Sequence, residues 1–293
     1  MKQSLFRTRF TAWLYAYRKH PLSLALLLFS GLAAAITAGI LLLIVGQILI
    51  KGIPNLSPRL FEWNYTSENV SMLPALINTL TLTALTCLFS IPLGVCSAIY
   101  LSEYAKSDNR LVPIIRLTAE TLSGIPSIVY GLFGYLLFNV SLQFGYSLLS
   151  GALTLAIMVL PTVMRTTEEA LLGVPVSYRE ASLGLGAGKL RTIFRIVLPS
   201  ASPAILSGVM LAIGRIVGET AALIYTAGSL TSVATGLFSS GATLSVHMYV
   251  LLSEGFYTEE AYATAVVLLS ITVLLNLLAS CIGHRHARKK GSP

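Results

Sequence analysis

The apolar residues of this chain fall in long runs, not in the alternation of a half-buried strand or the stripe of a surface helix. Six runs approach or exceed the roughly 20 residues with which an α-helix crosses hydrocarbon. They cover residues 22–50, 76–100, 111–138, 148–164, 203–227 and 261–282. The first is long enough to tilt or protrude. Pro92 sits inside the second and predicts a kink, while Gly124 and Pro126 break the third. The N-terminus, basic to Lys19 and apolar from Leu22 through Ala33, Ala34 and Ala35, resembles a signal peptide. Signal cores span only about 7–15 residues, whereas this run continues to Ile50, so it reads as an uncleaved first helix. Residues 228–259 form a long, largely apolar loop, in which 242–252 are expected to lie on the membrane surface as a short helix.

Charge orients the six spans. Lys2, Arg7, Arg9, Arg18 and Lys19 precede the first; Lys106, Arg110 and Arg116 flank the turn from the second to the third. Arg165, Arg179, Lys189, Arg191 and Arg195 lie between the fourth and fifth, and Arg285, Arg288, Lys289 and Lys290 follow the sixth. The opposite side holds only Lys51 and Arg59, with Glu254, Glu259 and Glu260. Basic residues concentrate in cytoplasmic loops, which puts both termini in the cytoplasm. Composition agrees: 55% of the 293 residues are hydrophobic and 11% charged, against about 25% charged in soluble domains. The net charge of +8 then reflects the cytoplasmic loops and does not point to nucleic acid. Cys87, Cys96 and Cys281 lie in apolar runs without a CxxC and read as small core residues, not as metal ligands or a disulfide framework.

An ionisable residue at bilayer depth is costly and points to function. Arg215 is about twelve residues into the fifth run, roughly 18 Å at 1.5 Å per residue, close to the midplane. Glu219 is expected one helical turn later on the same face, and Gly214 with Gly218 offers a small-residue pair for another helix to approach. The two charges read either as an internal salt bridge or, as we favour, as the charged lining of a substrate path. Arg165 reads equally as a helix-end anchor or a path residue, and Arg116 with Glu120 as a structural pair. A guanidinium fork suits tetrahedral oxyanions. A nearby carboxylate accepts the O–H of a protonated phosphate and repels sulfate, the kind of hydrogen-bond requirement that discriminates strongly.

The segment after the fourth run carries the most specific pattern. Residues 179–185 suit a short amphipathic helix that Gly186 ends, and Leu198-Pro199 starts the return to the membrane. By composition alone it is an ordinary basic loop. Glu180, Ala181, Gly186, Ile196, Leu198 and Pro199, however, match the spacing EAA-x3-G-x9-I-x-LP, with Ser182 replacing the third letter. The segment thus resembles the EAA motif of ABC importer permeases, and this resemblance implies a coupling helix that docks on an ATPase subunit. The chain has no GxxxxGK[ST] phosphate loop and no catalytic constellation. It is expected to be a non-catalytic subunit that binds no cofactor, with ATP and Mg on partner subunits.

Residues 98–104, 126–133, 163–168 and 215–221 further resemble the permease of the bacterial high-affinity phosphate importer, the PstA family. That resemblance implies an all-α membrane protein with six transmembrane helices and the MetI-like fold of type I ABC importers. It implies a bacterial inner-membrane location and inorganic phosphate as cargo, with related oxyanions such as sulfate, molybdate or phosphonate as the alternative. Implied partners are a PstC-type permease, a PstB-type ATPase dimer, an external phosphate-binding protein and membrane lipid. Arg215, Glu219, Arg165 and Thr220 would line the path, and Glu180, Ala181, Ser182, Gly186, Ile196, Leu198 and Pro199 would couple it to the ATPase. The expected organisation is a cytoplasmic segment 1–21, a first helix 22–50, a permease domain 72–282 with coupling loop 166–200, and a basic tail 283–293.

Overall fold

The computed structural model describes residues 21–105 and 109–289, with side chains for 22–105 and 109–278. The expectations for the basic residues up to Lys19, for Lys106 and for Lys290 lie outside these residues, as do the side chains of Cys281, Arg285, Arg288 and Lys289. Among the described residues every regular element is helical. The chain divides into two units, residues 1–51 and 52–293.

The first unit contributes α1 (Pro21–Gly52). It is apolar all round, with Leu42 73% and Leu43 74% exposed, the character of a helix whose solvent is lipid.

The second unit begins with α2 (Leu73–Ile99), which continues through Pro92 and is prolonged by a wider π turn, Tyr100–Tyr104. Next come α3 (Leu111–Ser123) and α4 (Ser127–Gly134), the latter prolonged by the π turn Tyr135–Ser141. The two meet at a 100° bend, because Pro126 is held extended between them. Then follow α5 (Leu148–Leu172), α6 (Val176–Gly184) and α7 (Lys189–Thr192), with a π turn Ile193–Val197. The chain ends with α8 (Leu198–Gly218), α9 (Ala221–Thr226), α10 (Leu244–Glu254) and α11 (Thr258–Lys289). Among the described residues five helices are long and apolar enough to cross a membrane, or six if the bent α3–α4 pair is one span.

Several boundaries differ from the sequence expectation for physical reasons. The fourth run extends to Leu172, so the loop expected from 166 begins after α5. Polar Thr167 and Glu168 stay helical because they are buried, with Glu168 paired to α3. The fifth run starts earlier, at Leu198, where the helix runs on directly from the π turn Ile193–Val197. It also stops earlier, at Gly218. The helix of the sixth run continues past Ile282 to Lys289. The short helix of the long loop exists as α10, but not on a surface: Leu244, Ser245, Val246, His247 and Leu251 are buried. Burial pushes the His247 imidazole down to about 4, so it packs as a neutral ring edge-on to Tyr65. Cys96 is exposed, not a core residue, and neither it nor Cys87 is in a disulfide.

The second unit is organised around α5. Of its most apolar stretch 67% is buried, against 22–33% for the corresponding stretches of α2, α8 and α11. Every fourth residue of α2 from Asn78 to Ala98 is buried, a ridge of the i±4 type that seats against a neighbouring helix. At Gly94 this ridge touches α5. A Cβ there would lie 2.8 Å from Val163 Cγ1 and 3.3 Å from the Met164 backbone nitrogen. Without a hydrophobic driving force between helices in lipid, such close contact is what holds them. Gly94→Ile is therefore expected to destabilise the protein by about 1–3 kcal/mol, read as a lower thermal unfolding midpoint in detergent, whereas Leu93→Ile, at an exposed position, leaves it unchanged.

Candidate functional site

Arg215 sits in the last turn of α8. Glu219 is not one turn further on the same helix. Its backbone turns extended at φ −72 and ψ 130, and α8 ends there. The cause is local: Glu219 Oε1 accepts the Ala222 N–H at 3.2 Å, so the side chain caps α9. The Glu219 carbonyl accepts the Ser245 hydroxyl of α10 at 2.6 Å. Thr220, the second residue of the break, reaches only the Gly218 carbonyl, at 3.4 Å. Glu219 is 9% exposed and Arg215 half-buried.

The two charges do not pair. Among the described residues Arg215 has no ion-pair or hydrogen-bond partner. Its charge bears on Tyr130, whose hydroxyl donates to the Leu122 carbonyl at 2.8 Å across the α3–α4 bend. Gly131 then brings α4 onto α9, where a Cβ would lie 2.8 Å from Ala222 Cα. The continuations of two interrupted helices, α4 and α9, thus pack on one another. Gly214 and Gly218 do not receive a helix as expected: a Cβ at either would meet nothing within 4 Å. The small residues leave open space next to Arg215.

Arg165 is elsewhere. It is 55% exposed on α5, 3.1 Å from Glu169 and 3.9 Å from Glu120 of α3. Arg116 is not paired with Glu120 as expected; it bonds the buried Glu168 through Nε at 2.9 Å and Nη2 at 2.6 Å. Both ion pairs therefore link α3 to α5. Arg116 takes its partner across the bundle, whereas Arg165 lies nearer to Glu169 on its own helix than to Glu120.

At the far end of α8 from Arg215, residues 173–197 fold into a knob. α6 ends as the sequence suggested, with Gly186 at φ +81, a conformation that L side chains rarely adopt. Glu180 and Ala181 are exposed, as are Tyr178, Leu183 and Leu185. Ser182 is buried, and its hydroxyl meets Thr192 Oγ1 at 2.8 Å, which gives the departure from alanine a purpose: it pins α6 to α7. Ile196, Leu198 and Pro199 are half-buried at the return into α8.

Some residues escaped the sequence reading. Arg179 and Glu103, 76 positions apart, form a bond of 2.8 Å, and nothing in a single sequence pairs them. Asn78 ties α2 to the loop before α10, donating to the Ser232 and Ala242 carbonyls and accepting the Ala234 N–H at 3.0 Å. Asn139 similarly donates to the Tyr225 and Thr226 carbonyls. An amide inside an apolar run was the available signal for both. Replacing Ser182 by Val is expected to weaken the knob by about 1 kcal/mol through loss of a buried hydrogen bond. Hydrogen exchange of α6 and α7 should rise, and the second change Thr192→Val should recover part of the protection.

Comparison with known proteins agrees with this architecture. Residues 90–291 match the family "Binding-protein-dependent transport system inner membrane component". The chain is 36% identical to the probable ABC transporter permease YqgI of Bacillus subtilis, over 86% of this chain and 92% of that one. It is 36% identical to the phosphate transport permease PstA 1 of Mycobacterium tuberculosis, over 75% and 71%, and 35% identical to PstA of Pasteurella multocida, over 80% and 85%. Among solved structures, a bacterial alginate ABC transporter superposes with a TM-score of 0.65 over 88% of this chain and 94% of that one, at 16% identity. The MetNI methionine transporter gives 0.57 over 73% and 94%, at 18% identity. Such importers work with an ATPase and a substrate-binding protein. The chain belongs to the binding-protein-dependent ABC importer permeases of the MetI type, a family of multi-pass inner-membrane proteins.

Proposed function

We propose that this chain is the PstA-type permease of an ATP-driven importer of inorganic phosphate. The observation that carries the reading is Arg215, without an ion-pair or hydrogen-bond partner among the described residues, in the last turn of α8 just before the α8–α9 break. Backbone that leaves the helix at membrane depth is tolerated only where protein or a water-filled path surrounds it, and transporters place substrate at such interruptions. An always-charged planar fork there binds a tetrahedral oxyanion by charge-assisted bonds. PstA relatives at 35–36% identity over most of the chain support phosphate over other oxyanions.

The knob faces the cytoplasm in this reading, as do both termini. A PstB-type ATPase dimer binds α6 around Glu180 and Ala181, and a PstC-type permease completes the path. An external binding protein releases phosphate into the outward-open state, and Arg215 holds it until the path opens inward. The hold is weak, because a tight intermediate site would slow release. Glu219 keeps one carboxylate oxygen for the cap of α9, leaving Oε2 to accept a phosphate O–H. Arg165 is neutralised by Glu169 and Glu120 in this conformation, so any part it plays in the path is secondary to that of Arg215. The related-oxyanion reading keeps the same architecture and differs only in cargo.

In proteoliposomes holding the assembled importer, Arg215→Gln is expected to lower phosphate uptake roughly 10–100-fold, the worth of hydrogen bonds to a charged group, with assembly intact. Arg215→Lys should retain part of it. Excess sulfate or molybdate should leave labelled phosphate uptake unchanged; equal competition would favour the related-oxyanion reading. Reporter fusions should place the C-terminus inside and the α10–α11 turn at Gly255 outside.

A further inference from the structure

The knob is joined by the chain itself to α5 on one side and α8 on the other, but not to α2. One side chain makes the directed part of that third connection. Arg179, on α6, directs Nε and Nη2 to Glu103 Oε1 at 3.1 and 2.8 Å. Glu103 lies in the π turn that ends α2. The same guanidinium donates through Nη1 to the Val174 carbonyl at 2.7 Å and through Nη2 to the Leu171 carbonyl at 2.8 Å, at the end of α5. The pair is largely withdrawn from solvent, with side chains 19% and 9% exposed. It closes the base of an apolar cluster that includes Ala98, Leu101, Leu171 and Val174.

We infer that Arg179 is the positioning residue through which displacement of the knob reaches α2. The inference rests on the coupling role given to α6 above. Gly94 and the apolar cluster pack α2 against α5; Arg179 adds the directed bonds that tie their ends and the knob to one another. A pull on α6 then moves both helices together instead of splaying them. Four directed bonds from one planar group resist such splaying, and a lysine cannot make them, because its ammonium is a single point charge. The knob's other polar contact with this turn, Lys189 Nζ over the Tyr104 ring at 4.8 Å, is non-directional.

Two variants test this in the assembled importer. Arg179→Lys keeps the charge and loses the fork. Arg179→Gln with Glu103→Gln removes both charges, so neither is left buried alone. Both should assemble and hydrolyse ATP, while cargo moved per ATP falls roughly tenfold, a typical coupling loss. A second readout needs no cargo: spin labels at the exposed positions Ser177 on α6 and Leu93 on α2. On ATP binding their separation should hold in the parent and broaden in both variants. An unchanged separation would overturn the inference, as would failure of both variants to assemble, which would make Arg179 a folding residue. Phosphate uptake by the parent tests the cargo reading separately, so failure of one does not conceal failure of the other.

Discussion

In hydrocarbon each backbone N–H and C=O must be satisfied within the protein, and the second unit is arranged around the places where its helices cannot do this alone. α8 stops at Gly218 and α3 at Ser123. The groups released at these ends are taken up by side chains from other elements: Glu219 on the Ala222 N–H, Ser245 on the Glu219 carbonyl, Tyr130 on the Leu122 carbonyl. Asn78 and Asn139 do the same for the irregular backbone around residues 225–242. Continuous helices would need none of these residues. Their presence shows that the interruptions are built in.

Close approach does the rest. Gly94 lets α2 close onto the Val163 side chain of α5, and Gly131 lets α4 meet the α9 backbone at Ala222. The fold thus combines rigid contacts where helices pass each other with open space at Gly214 and Gly218, where none does.

The spans were legible because twenty apolar residues leave few alternatives, and the bend at Pro126 because proline blocks the helix by its own geometry. The knob was legible from spacing, since a glycine at φ +81 and a proline return are local devices. The end of α8 was not legible. The Arg215–Glu219 spacing is ideal for a helical pair, and only the competing bond from Ala222 turns Glu219 away. The expected Arg116–Glu120 pair fails for the same reason: four-residue spacing suggests a partner on the same helix, while tertiary packing gives Arg116 the buried Glu168 of α5. Resemblance to a family pointed to Arg215 and the EAA segment, but not to Arg179–Glu103, whose members no local pattern joins.

In the proposed importer, the Arg215 guanidinium has a second effect, on what must not cross. Its field raises the energy of any cation entering the open space beside Gly214 and Gly218, as fixed positive charge does in pores that exclude protons. A membrane that stores energy as an ion gradient loses it through any wetted passage that protons or sodium can follow. The residue best suited to attract an anion therefore also insulates the gradient while the passage is hydrated.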